Sequence, residues 1–86
     1  MNLKIRKVAF LLMGKNIPFK VDYIFTGNAD CVPEITVTYD GYSIAAVIYD
    51  EDAEVFKCIR PGDPWPSVYE DAESVVWFIK RVRNAM

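Results

Sequence analysis

Eighty-six residues make one domain, 1–86, that buries only about 60–65% of its unfolded surface, so its core is small. The composition, 52% apolar, 26% charged and 14% aromatic, excludes a disordered chain, and no apolar run approaches the ~20 residues of a membrane span. The net charge of −2 hides a layout: residues 1–20 carry five bases and no acid, residues 21–56 eight acids and no base, and residues 57–86 five bases and four acids.

The spacing predicts a helix over Leu3–Gly14, with Gly14 near its end and Pro18 just beyond. Ile5, Val8, Ala9, Leu12 and Met13 form its main apolar arc, with Phe10 and Leu11 to either side, a pattern expected of a helix buried on more than one side. Lys4, Arg6 and Lys7 before the apolar run Val8–Met13 suggest the start of a secretory signal, but Gly14 and Lys15 stop the run after six residues. Phe19–Thr26 alternates like a strand, and Gly27–Pro33 is rich in turn formers.

Glu34–Tyr39 and Tyr42–Tyr49 are β-type runs joined by Asp40-Gly41, the signature of a two-residue type I′ hairpin. A regular register sets Tyr39 opposite Tyr42, Val37 opposite Ile44 and Ile35 opposite Ala46, and these six are expected to form the core face. Asp50–Ala53 reads as a second tight turn into Glu54–Ile59, which places Ile48 opposite Val55 on that same face. The other face then collects Ala45, Val47, Tyr49, Phe56 and Cys58 inside a polar rim, and something must cover it, a helix or a partner.

Arg60–Pro66 is a stiff loop with three prolines. Its Trp65 is expected to close the edge of the core. Ser67-x-x-Glu70 reads as a capping box opening a helix over Ser67–Met86, whose apolar stripe is Val68, Ala72, Val75, Val76, Ile79, Val82 and Met86. Trp77 falls on the opposite, charged side with Glu70, Glu73, Lys80 and Arg81. Such an indole is buried under another element, stacked on Arg81, or an anchor for a partner. The resulting fold class is α+β: an antiparallel meander of three to four strands flanked by an N-terminal and a C-terminal helix, in the order α-β-β-β-β-α.

Chemistry-bearing motifs are scarce. The chain has no histidine, which removes the commonest general base and metal ligand. Neither glycine-rich phosphate loop is present. Asp50-x-Asp52-x-Glu54 starts like a calcium loop, but Val55 stands at the sixth position and Pro61 at the twelfth. Asp40, Glu54 and Lys57 fail as a nuclease set, because Glu54 and Lys57, three apart, face opposite sides of a strand. Cys31 and Cys58, without a C-x-x-C pair, suit a reducing cytoplasm rather than a secreted disulfide scaffold.

The function expected on these grounds is that of a non-enzymatic interaction module without catalytic residues, metal or cofactor. It occupies a basic surface of a partner protein, using Tyr49, Asp50, Glu51, Asp52, Glu54, Phe56, Trp77 and Arg81. A concrete form is an inhibitor of a nucleic-acid-handling complex, in the manner of small acidic phage proteins that block restriction or CRISPR systems. The alternatives are direct nucleic-acid binding by the basic helices and a structural homodimer with Trp77 at its two-fold axis.

Overall fold

Leu3–Gly14 forms helix α1 with the bounds its spacing predicts. Its end is closed by Asn16 rather than Gly14. Asn16 adopts a left-handed φ of 56°, the Ile17 N–H donates to the Leu12 carbonyl at 3.0 Å, and the Asn16 N–H donates to the Met13 carbonyl at 3.1 Å. These two bonds are the Schellman pattern, and the accompanying contact is supplied by Leu12 and Ile17, both buried. Pro18 then forces extended backbone into the sheet. The computed structural model describes residues 3–25 and 31–86. The expected end of the first strand at Thr26 and the loop residues 27–30 lie outside them.

Five strands follow: β1 (Phe19–Phe25), β2 (Cys31–Tyr39), β3 (Tyr42–Asp50), β4 (Val55–Ile59) and β5 (Ser67–Tyr69). They form one antiparallel sheet in the order β1-β2-β3-β4-β5. Helix α2 (Ala72–Asn84) completes the α+β chain. Cys31, Val32 and Pro33 belong to β2, not to a loop.

The Asp40-Gly41 turn forms as expected, with φ of 53° and 82°. Beyond it the register departs from the regular one. Tyr39 pairs with Tyr42 and Thr38 with Ser43, but Val37 then pairs with Ala45 and Ile35 with Val47. Ile44 is the extra residue of a β-bulge. It and Ala45 are both buried on the helix side, and the alternation of β3 is shifted by one beyond that point. The core face therefore carries Ala45, Val47, Phe56 and Cys58 beside Ile35 and Val37, while Ala46, Ile48 and Val55 go to the other face. Ile35, Val37 and Ile44 keep the inside place expected from the sequence, Tyr39 and Tyr42 are exposed instead, and the two faces of β3 beyond the bulge and of β4 are exchanged.

The C-terminal helix starts later than its capping box suggests. Ser67–Tyr69 pairs with β4 as the fifth strand, and Tyr69 packs on Phe78 with ring centroids 5.8 Å apart. The cap is Asp71, whose Oδ1 accepts from the Ser74 N–H at 2.7 Å. Val68, counted above in the helical stripe, is exposed instead. Trp65 does not close the core, since it is 79% exposed.

Both helices lie on one face of the sheet. Ile5, Val8 and Leu12 of α1 and Val75, Ile79 and Val82 of α2 join Ile35, Val37, Val47 and Phe56 in one core. α1 sits over β2 and β3, and α2 over β3 to β5. The result has two layers. α1 is not buried on two sides, because Phe10 is exposed. Among the described residues no helix is long and apolar enough to cross a membrane.

Candidate functional site

The hairpin between β3 and β4 gathers the carboxylates. Asp50 ends β3, and its Oδ1 accepts from the N–H groups of Asp52 (3.0 Å) and Ala53 (3.1 Å), folding residues 51–54 into a tight loop. Glu54 leaves the loop at φ 55°. The other oxygen of Asp50 meets Lys57 Nζ at 3.0 Å. That Lys57 hydrogen bond, helped by the loop amides, holds the Asp50 carboxyl below its ordinary pKa. Glu51, Asp52 and Glu54 are exposed.

Tyr49, next to the loop, leans inward against the core, and its ring meets Phe56 edge-on at 4.9 Å. Its phenol is raised above its ordinary pKa, first by burial and then by Glu54, Glu51 and Asp50. Phe56 is not a surface anchor. It is 0% exposed, and the bulge in β3 is what puts its row under the helices. Val47 is buried with it.

Trp77 is uncovered. It is 56% exposed on the side of α2 turned away from the sheet, and Arg81, one turn on, stacks over its ring with the guanidinium carbon 4.5 Å from the centroid. The site residues expected from the sequence thus fall into two groups on different surfaces. Asp50, Glu51, Asp52 and Glu54 border one end of the sheet. Trp77 and Arg81 lie on the helical layer, whose exposed side also carries Lys4, Arg6, Lys7, Lys15 and Lys80. Lys7 Nζ crosses to Glu73 at 3.0 Å, and this bond lowers the Glu73 pKa.

A third surface was misread as core from the sequence. The face of the sheet opposite the helices bears Ala46, Ile48, Val55, Ile59 and Val68, flanked by Glu34, Asp50 and Lys57. No described element packs over it. The clue was present in the continuous apolar run Ile44–Ile48, which reads as apolar on both faces of a strand.

Cys31 and Cys58 are both unbonded, two strands apart. Burial pushes the Cys58 thiol up to about 12, so it is a packing residue. Among the described residues no three His, Cys, Asp or Glu side chains converge as metal ligands. Comparison with family models, curated proteins and solved structures finds no match to this chain.

Proposed function

We propose that this chain is a non-enzymatic interaction module that seats a basic partner protein on the uncovered face of its sheet. The observation carrying this reading is the apolar strip Ala46, Ile48, Val55, Ile59 and Val68, left open by both helices and bordered by Glu34 and the Asp50–Glu54 loop. Apolar area supplies the affinity, and the carboxylates steer a positive surface and reject a negative one. A basic protein surface that ordinarily holds phosphate is the matching chemistry, so the module acts as an inhibitor or adaptor of a nucleic-acid-handling protein. Cytoplasmic residence goes with that role. The test is a pull-down from the native host, comparing the parent with Ile48→Asp and with the triple change Glu51→Lys, Asp52→Lys, Glu54→Lys. A basic protein retained by the parent and lost by both variants supports the reading. Retention of the same protein by both folded variants removes it.

The helical layer favours a second reading. An exposed indole stacked by Arg81, on a helical layer whose exposed side also carries Lys4, Arg6, Lys15 and Lys80, has the make-up of a base-stacking platform for single-stranded nucleic acid. Fluorescence anisotropy with a labelled single-stranded oligonucleotide distinguishes the two. Binding that weakens steeply with salt and disappears in Trp77→Ala assigns the helical face, and no binding at low salt eliminates it.

A further inference from the structure

The two edges of the sheet are protected very differently. β5 is three residues long and is preceded by Pro64-Trp65-Pro66, a short edge of the kind that resists pairing. β1 is seven residues long, with no proline and no bulge. The Thr38 N–H donates to the Pro18 carbonyl at 3.1 Å, which marks Pro18 and Thr38 as a hydrogen-bonding position of the β1–β2 ladder. Stepping two residues at a time, Lys20, Asp22 and Ile24 point their backbone groups at β2, and Phe19, Val21, Tyr23 and Phe25 point theirs outward. Among the described residues no backbone hydrogen bond reaches that outer row. The side chains beside it are uncovered as well, with Tyr23 59% and Phe25 76% exposed.

We infer that the outer edge of β1 pairs with β1 of a second copy of this chain, antiparallel about a two-fold axis at Val21, joining two five-stranded sheets into one of ten. The charge pattern selects both partner and register. Centred on Val21, the pairing sets Val21 opposite itself, Phe19 opposite Tyr23, and Lys20 opposite Asp22 twice over. Lys20 and Asp22 already approach within one chain, Nζ to Oδ2 at 3.9 Å, on the face away from the helices. Centring on Asp22 or on Lys20 opposes like charges, and centring on Tyr23 sets Asp22 against Ile24. The segment Lys20-Val21-Asp22 is therefore its own antiparallel complement, which is what an isologous contact requires. Outward-facing amides of Phe19, Val21 and Tyr23 gain partners without disturbing the bonds to β2, and Tyr23 gains cover.

Sedimentation velocity and light scattering over a range of concentrations test this. The parent is expected to run as a dimer of the 9.9 kDa chain at high concentration. Val21→Pro removes one outward N–H and leaves the β1–β2 ladder intact, so it is expected to be a folded monomer. Lys20→Asp is expected to weaken self-association about tenfold, with recovery when Asp22→Lys is added. These two surface changes keep the test decisive if Val21→Pro does not fold. A parent that is monomeric at every concentration overturns the inference. So does a dimer indifferent to Lys20→Asp, or one dissolved by Trp77→Ala and not by changes in β1.

Discussion

Phe56 and Trp77 are the two large aromatics whose environments matter most, and they separate cleanly under alanine substitution. Emptying the Phe56 site costs about 3–5 kcal/mol by lost transfer energy and residual cavity. A domain of this size has only about 4–13 kcal/mol in total, so Phe56→Ala is expected to lose a large part of the cooperative urea transition followed by far-UV circular dichroism. Trp77→Ala removes only an exposed stack on Arg81, worth about 0.5–1 kcal/mol, and is expected to leave the urea midpoint nearly unchanged. Equal midpoints for the two variants would contradict the burial of Phe56. Local sequence does not separate these residues. Trp77 sits in the apolar run Val75–Ile79 but shares its helical face with Glu73, Lys80 and Arg81, and that face correctly indicates exposure. Phe56 follows the acidic Asp50–Glu54 segment and precedes Lys57, and that polarity misleads.

Within the elements, the ends of α2 and the alternation of β3 were the least legible. Two overlapping signals compete at the start of α2: Ser67-x-x-Glu70, and Asp71 followed by Ser74. Both satisfy helix amides. The edge of β4 decides between them, because pairing Ser67–Tyr69 with Phe56–Cys58 satisfies backbone groups on both strands and seats Tyr69 on Phe78. Asp71→Ala is accordingly expected to lower the thermal midpoint by a few degrees, and Asp71→Asn to preserve most of it, since the amide oxygen still caps. Ser67→Ala is expected to change it less than Asp71→Ala does. A larger loss from Ser67→Ala would move the helix start back. In β3 the run Ile44-Ala45-Ala46-Val47-Ile48 is apolar at both parities, so a regular and a bulged register bury similar side chains. No glycine marks the extra residue, and the choice falls to the fit of Phe56 and Cys58 beneath the helices.

For the whole molecule, the charge layout has a consequence in acid. The carboxyls of Asp50, Asp71 and Glu73 titrate below their ordinary values, held down first by the hydrogen bonds from Lys57, from the Ser74 amide and from Lys7, respectively. A depressed folded pKa adds stability that is complete above the unfolded value and drains away as pH falls through the folded one. With no histidine, no side chain of ordinary pKa titrates from about pH 5 to pH 8. The urea midpoint is therefore expected to be flat from about pH 7 to pH 5 and to fall below about pH 4. A decline already present between pH 7 and pH 5 would contradict this assignment. The same layout leaves basic groups on the helical layer and carboxylates around the Asp50–Glu54 loop, two surfaces of opposite preference on one small body.

The amino-acid sequence by itself determined the bounds of α1, the Asp40-Gly41 hairpin, the antiparallel meander and the α+β class. Each of these rests on interactions between residues close in the chain: apolar spacing, a turn that accepts positive φ, and loops too short for a crossover. Only the tertiary structure decided which face of the sheet is inside, that a fifth strand precedes α2, and that β1 is left as an open edge. The first hangs on one inserted residue at Ile44, and the others on strand pairing and packing between segments far apart in sequence, which no local signal reports.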